Sequence, residues 1–437
     1  MMMEKRIYGE VFTPLSYIND NIFADMGNYY MNTYKLDIFA IPSLTWYDPA
    51  AGMGNFPIAL YYKLMNGLKS KMPDEKARKK HIIENMIYMA EINKRNYMVI
   101  RKIFNSKGEY KLNLYNGDSL TIDLMKVFKR NKFDIIIGNP PYNKPFSDTG
   151  AGASPLYNEF IDMYMDKCQM MTYVVPSRWF AGGKGLDDFR QRMLDRTDIV
   201  YIRHVYNASE IFGHDVHIGG GVNHFLIDHK YKGKCDFNGD MLVLNQYDII
   251  VNSQHHDIVD KMREYDSLTD IYMASTQYDI QTNDNRLKQI DANINMDDYA
   301  ICYVARNKGH VNYIHKTEIT KPYDYYKVIA SAISLPNGGF GNVTILNKTM
   351  VYSKTYIGFK VKTRKQADSL VSYLRCRLPN YLLSLRKISI HVSKSTIEWI
   401  PLPELDREWT DNMLYKYYNL TKADIAVINN TKIAGLD

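Results

Sequence analysis

Between residues 44 and 228 short β-rich runs alternate with amphipathic stretches. That alternation limits the chain to an α/β fold with a mostly parallel sheet, because parallel neighbours need a crossover connection. The candidate strands are Leu44–Tyr47, Ile87–Ala90, Lys111–Tyr115, Phe133–Ile137, Met171–Val175 and Ile199–Val205. Phe133–Ile137 reads FDIII, nearly without alternation, as a strand covered on both faces should. Phe56, Leu60, Leu64 and Leu68 recur every four residues and predict a helix, with Asn55 as N-cap and Pro57 in its first turn. Leu156–Lys167 and Leu186–Leu194 predict two more helices. Val222–Asp228, after three glycines at 219–221, predicts an antiparallel closing strand. The alternation fades near 229. The expected architecture is therefore a seven-stranded mixed sheet over residues 1–228 and a second, α+β domain over 229–437. In that second part short strands and Asn/Asp/Gly turns precede a helical tail, where Thr421 and Asp424 resemble a capping box.

At 437 residues the chain exceeds one compact domain, and 46% apolar with 24% charged residues excludes wholesale disorder. No apolar run approaches the ~18 residues that span a bilayer. The opening MMMEKRIYGE lacks the apolar core of a secretory signal, so a cytoplasmic location with no membrane partner is expected. Cys168, Cys235, Cys302 and Cys376 lie far apart with no CxxC pair, which predicts neither disulfides nor a metal site. The formal charge of +7 is unevenly spread: residues 241–300 carry a net −7 and 301–400 a net +12. The basic stretch is interleaved with Tyr303, Tyr313, Tyr323, Tyr325, Tyr326, Phe340, Tyr352 and Tyr356. Cations for phosphates and rings for stacking suit nucleic acid, although a solvated basic face has the same composition.

Two segments carry chemistry. Asp48-Pro49-Ala50-Ala51-Gly52-Met53-Gly54-Asn55-Phe56 follows a strand and opens a helix, where glycines let the backbone approach a ligand and free N–H groups face it. Glu91 ends the next strand, placed to accept the hydroxyls of a ribose. Asp118, with Ser119 beside it, follows the third, placed to contact an adenine. Three acids at three successive strand ends face the crevice where open α/β sheets bind ligands. Glu91 lies 43 residues after Asp48, against about 20 in a dinucleotide fingerprint, which disfavours NAD. The second segment, Asn139-Pro140-Pro141-Tyr142, follows the fourth strand. Its prolines stiffen the loop and remove two donors, leaving an amide oxygen and a proline carbonyl as acceptors beside an aromatic ring. That set suits an exocyclic amine on a flat ring: acceptors holding its hydrogens favour a pyramidal nitrogen with a directed lone pair, and Tyr142 can stack.

These motifs, in this order, resemble the S-adenosylmethionine-dependent DNA adenine-N6 methyltransferases of restriction–modification type, with cofactor motifs first and the target-recognition domain last. Glu10-Val11-Phe12-Thr13-Pro14 resembles the family's N-terminal motif, which implies that Thr13 helps hold the cofactor carboxylate. DPAAGMGNF resembles the methionine-binding loop, with Ala51 for the usual Cys and Met53 for the usual Ser. The resemblance assigns Asp48, Ala50, Gly52, Gly54, Asn55, Phe56, Glu91, Asp118, Ser119 and Asn139 to the cofactor, and Asn139, Pro140, Pro141 and Tyr142 to catalysis. Ser154-Pro155-Leu156-Tyr157 and Val175–Phe180 resemble later motifs, and Phe225 is the candidate second aromatic against the flipped base. It implies a Rossmann-like methyltransferase domain at 1–228, a recognition domain at 229–437 and double-stranded DNA in a cleft between them. A separate restriction endonuclease is the partner such enzymes often have. RNA-base and protein-glutamine methyltransferases share the chemistry, and a catalytically dead DNA-binding subunit would share the fold.

Other constellations are weaker. Asp215 with Asp228-His229-Lys230 has tolerable nuclease spacing but falls across the closing strand. His214, His217, His224 and His229 cluster in sequence beside Gly-rich turns, not at metal-ligand spacing. Gly338–Gly341 reads as a turn, and Cys168 as a core residue.

Overall fold

The computed structural model describes residues 11–144, 154–181, 183, 185–216, 218–289, 296–304 and 311–436. The chain divides into two compact units, Met1–Ile250 and Val251–Asp437.

The first unit is built on one sheet. A helical run over 15–34 (α1), interrupted by a π-turn at Ile18–Ile22, leads into β1 (Trp46–Asp48) and α2 (Asn55–Gly67). There follow β2 (Ile87–Glu91), α3 (Lys94–Asn105), β3 (Asn113–Asn116), β4 (Phe133–Gly138) and α4 (Tyr157–Tyr164). The series closes with β5 (Cys168–Pro176), α5 (Asp187–Leu194), β6 (Ile199–Val205) and β7 (Val222–Asp228). The strand order is β3-β2-β1-β4-β5-β7-β6, with β7 antiparallel between β5 and β6. All six parallel-type strands and the closing strand lie where the alternation of the sequence puts them.

The sheet then continues past 228. Cys235–Phe237 (β8) pairs parallel to β6, and Asp240–Leu242 (β9) folds back on it, giving nine strands instead of seven. The turn between them is Asn238-Gly239, with φ of 51° and 94°, the positive angles that a two-residue hairpin requires. The compact unit therefore ends at Ile250, and a boundary at 228 would cut through its sheet.

Each face of the sheet is covered. Along β1, Trp46 enters an aliphatic layer with Phe23, Leu60, Leu64 and Ile100 from the helices above. Tyr47 points the other way, stacked on Phe133 at 4.6 Å and edge-on to Phe128 and Tyr164. Phe56, Leu60, Leu64 and Leu68 are all buried, as their spacing predicts.

The second unit is α+β. One four-stranded sheet has the order β10-β17-β14-β15 (Tyr272–Met273, Tyr356–Val361, Tyr326–Ser331, Val343–Leu346). The other is β11-β13-β12-β16 (Lys288–Gln289, Asn312–His315, Tyr299–Tyr303, Met350–Tyr352). Helices α6 (Arg364–Arg375) and α7 (Arg377–Arg386) pack beneath the first sheet. In the tail, Thr421 and Asp424 form the expected reciprocal cap: the Thr421 N–H donates to Asp424 Oδ2 at 2.8 Å, and the Asp424 N–H to Thr421 Oγ1 at 3.1 Å. The turn expected at Gly338–Gly341 falls just before it, at Pro336-Asn337, where the Gly338 N–H donates to the Leu335 carbonyl at 3.0 Å; Gly338 itself bridges to Ala434, and the Phe340 N–H donates to Asn380 Oδ1 at 2.9 Å.

The basic stretch is less of a surface than its composition implies. Tyr313, Phe340 and Tyr352 are core residues, and Lys327, Arg386 and Lys387 are buried. Burial pushes the Lys327 ammonium down to about 7 and that of Lys387 to about 8. Tyr323, Tyr325, Tyr326, Tyr303 and Tyr356 remain half-buried, with Lys360 Nζ 4.4 Å from the centre of the Tyr325 ring.

Candidate functional site

The carboxyl ends of β1, β2, β3 and β4 meet at a cavity of about 430 Å³. Its walls include Thr13, Ala50, Gly52, Asn55, Phe56, Glu91, Asp118, Ser119 and all of Asn139–Tyr142. The structure thus gathers at one place residues spread over 130 positions of sequence.

The loop after β1 owes its shape to two glycines and two carboxylates. Gly52 has φ 55°, and a β-carbon there would stand 2.8 Å from the Phe12 ring. Gly54, with φ 93°, is the helix N-cap. Asn55, expected as that cap, is instead the first helical residue. A glycine in the left-handed region already turns the chain, which frees the Asn55 amide to donate to the Thr13 carbonyl at 2.8 Å. Glu91 holds the loop from the next strand: Oε2 accepts the Gly52 N–H and Oε1 the Asn93 N–H, both at 2.7 Å. Ser119 braces the loop from beneath, its hydroxyl donating to the Pro49 carbonyl. Asp118 turns back through Oδ1 to the Leu120 N–H at 2.9 Å and stays half-buried at the wall.

Asp48 and Gly54 do not reach the cavity surface. Asp48 lies beneath the loop, its Oδ1 accepting the Ala50 N–H at 3.0 Å. Burial pushes its carboxyl up to about 8, against the stabilising Ala50 N–H and with a further push from Glu91. Gly138, which precedes Asn139, lies against this carboxyl. A β-carbon at 138 would be 2.7 Å from Asp48 Oδ1, and φ there is 149°.

At Asn139 the Nδ2 group donates to the Val11 carbonyl at 2.7 Å. That bond orients the amide and leaves Oδ1 as its other end, buried and without a hydrogen-bond partner. Thr13 Oγ1 and the Tyr142 hydroxyl are likewise buried and unpaired. Burial raises the Tyr142 phenol above its ordinary range. Three orphaned polar atoms around one concavity mark a place that a ligand completes. The residues fit S-adenosylmethionine in outline: the unpaired Thr13 hydroxyl for a carboxylate, two acceptor-only carboxylates for hydroxyls and an amine, and apolar walls for a flat ring.

Phe225 is not at the site. It is fully buried in β7, paired with Tyr173 and Ile202, because strand alternation turns residue 225 away from the face that carries Val222 and His224. The sequence reading missed Phe12, Ile92, Leu120 and Phe160, which supply apolar wall, and Gly138. An apolar loop residue announces no direction in sequence, whereas the glycine directly before Asn139 was a legible signal. Of the other constellations, Asp228 accepts from Tyr29, Tyr34 and Gln169, and His229 pairs with Asp198 at 2.8 Å, so neither is free for a metal or nuclease role. Glu10 and His217 lie outside the described residues.

Residues 57–212 match the Eco57I restriction-modification methylase family. That match lies within the first unit. A curated relative, an uncharacterized adenine-specific methylase of Mycoplasma pneumoniae, is 23% identical over 303 residues, covering 52% of this chain and 69% of that protein. The Type IIL restriction-modification enzyme MmeI, solved with DNA, shares the fold at a TM-score of 0.55 and 14% identity, covering 92% of this chain and 68% of MmeI. A nuclease-deletion mutant of the Type ISP enzyme LlaGI, solved with a DNA substrate mimic, gives 0.59 and 12%, covering 94% of this chain and 47% of LlaGI. At these identities the likeness is one of fold. This chain spans less than half of the LlaGI structure, and the matched residues 57–212 run from α2 to the segment after β6. Among the described residues no helix is long and apolar enough to cross a membrane.

Proposed function

We propose that the chain transfers a methyl group from S-adenosylmethionine to N6 of a flipped-out adenine in double-stranded DNA. The observation that carries this reading is the Asn139 amide, whose N–H end is tied to Val11 and whose oxygen is left bare beside Pro140 and Tyr142. When bound, S-adenosylmethionine supplies an electrophilic methyl on a sulfonium, and Thr13, Gly52, Glu91 and Asp118 would hold it. Asn139 Oδ1 and the Pro140 carbonyl would accept the two hydrogens of the amine and orient its lone pair; as the N6–carbon bond forms the methyl–sulfur bond would break, S-adenosylhomocysteine would leave as a neutral thioether, and one N6 proton would pass to solvent. Tyr142 stacks on the base. The ring-locked Pro–Pro backbone keeps both acceptors in place, so positioning supplies most of the rate. Adenine inside a duplex is out of reach, so it is extruded at a cost of about a few kcal/mol. The second unit, with its cationic and aromatic strands, reads the duplex, and a separate endonuclease completes the system. The adenine-specific relative and the DNA-bound neighbours support the choice of substrate.

The test is transfer of labelled methyl to unmethylated DNA, with mass spectrometry of the digested nucleosides. Label in N6-methyladenine is expected. Label only in RNA or protein, or none with the cofactor bound, overturns the substrate or the activity respectively. Asn139→Ala is expected to lower transfer by at least about a hundredfold while sparing cofactor affinity, and retention of a tenth of the wild-type rate would remove Asn139 from the mechanism.

A further inference from the structure

We propose that Tyr17, His224 and Asp25 form a hydrogen-bonded chain that positions Asn139, acting through the Val11 carbonyl on its side-chain amide. The inference rests on the reading of Asn139 as the group that holds the target amine.

The chain runs from solvent to the site. Asp25 Oδ2 lies 3.3 Å from His224 Nε2, and His224 Nδ1 lies 3.0 Å from the Tyr17 hydroxyl. A carboxylate only accepts, so Nε2 carries the proton and Nδ1 accepts from Tyr17. His224 is almost wholly enclosed in β7, and Tyr17 meets its ring edge-on at 5.6 Å. The other polar and charged groups around the histidine are Tyr201, whose ring centre is 6.0 Å away, and Arg203, paired with it across the strands and 3.5 Å from Asp25. Burial of the imidazole favours its neutral form, which the tautomer assignment needs. None of these groups takes part in the transfer described above.

What this anchor holds is the segment that orients Asn139. Val11 and Tyr17 both pack on the small cluster of Tyr142, Ala208, Ile211 and Val222. Val222 and His224 share a face of β7, two residues apart, so the anchor and the Tyr142 contact belong to one rigid strand. Between Val11 and Tyr17 the chain is fixed at one more point, the Thr13 carbonyl on Asn55, and the Ile18 N–H closes the first turn on Pro14 at 3.1 Å. Among the described residues the polar tie from this segment to β7 runs through Tyr17, beside the apolar packing of Val11 and Tyr17 on Val222. Without it the Val11 carbonyl is held by packing alone and can shift, and with it the amide whose oxygen must face the amine. A displacement of about 1 Å at a reacting group can cost a hundredfold in rate.

Tyr17→Phe removes one oxygen and tests this directly. Its turnover is expected to fall about tenfold to a hundredfold, with the KM for DNA and the cofactor dissociation constant changed by less than about twofold. His224→Leu should behave alike, whereas His224→Asn, whose Oδ1 can still accept from Tyr17, should recover most of the loss. The deciding arm is an Asn139→Asp background. A carboxylate has no N–H to donate to Val11, so Tyr17→Phe should cost that variant little further. An equal cost in both backgrounds, or parallel loss of cofactor affinity, overturns the proposal in favour of a structural tie. Amide hydrogen exchange gives a readout that needs no substrate: Tyr17→Phe should speed exchange at the amides of residues 11–13 and 15–17 and of Asn139 and Tyr142. Unchanged exchange overturns the proposal even if the wild-type protein transfers nothing to DNA, the result that would instead overturn the proposed function.

Discussion

Gly138 shows how tightly a single residue is specified here. Its φ of 149° and the 2.7 Å that would separate a β-carbon from Asp48 Oδ1 leave room for no side chain. Gly138→Ala is expected to cost about 1–3 kcal/mol of stability and to push Asn139 out of register, seen as a lower melting temperature and a larger loss in turnover than in cofactor affinity. Asp48 itself gives a pH signature. Its carboxyl, raised from an ordinary 3.8 to about 8, keeps in the folded state a proton that the unfolded chain has already released. Its contribution is therefore full below pH about 4 and is lost as the pH rises toward 8. Thermal melts across that range should show the decline in the wild-type protein and a shallower slope in Asp48→Asn. An unaltered slope would mean that the proton is held elsewhere.

At the scale of elements, what the sequence made legible followed periodicity. The strands from β1 to β7 and the helix carrying Phe56, Leu60, Leu64 and Leu68 could be read because one burial pattern dominates each. Two things escaped that reading for physical reasons. The hairpin of β8 and β9 is only three residues a side, too short for alternation to register, and its signal was the Asn238-Gly239 pair. Phe225 was misplaced because every residue of β7 is buried, so composition does not say which face is which. As a core residue it should tolerate leucine: Phe225→Leu is expected to keep transfer and base extrusion near wild type, while Phe225→Ala costs about 3–5 kcal/mol. A leucine variant that folds but cannot extrude a fluorescent base analogue would restore Phe225 to the site. The acids at the strand ends and Asn139–Tyr142 were legible because polar residues at a fixed topological place have few other uses. Their division of labour was not. Asp48 braces the loop from beneath the cavity, while Glu91 and Ser119 both brace it and line the wall, and only contacts could tell them apart.

The whole molecule divides where its sheet ends. A fragment of residues 1–250 should fold and bind cofactor, because it keeps all nine strands, while 1–228 strips β8 from β6 and exposes a hydrogen-bonding edge. Comparable solubility and melting of the two fragments would contradict that division. The second unit was the least legible part, since its strands are short and its lysines and tyrosines are shared between surface and core; charge counted along the chain cannot tell Lys327 from Lys360. The cavity has a further consequence. Every wall residue lies between Val11 and Phe160, and none comes from residues 161–437. The groups that line the cavity are thus inherited within the first unit. The second unit is free to diverge, to be exchanged by recombination with that of a sister gene, or to be re-selected in the laboratory, without retuning the step that makes the bond.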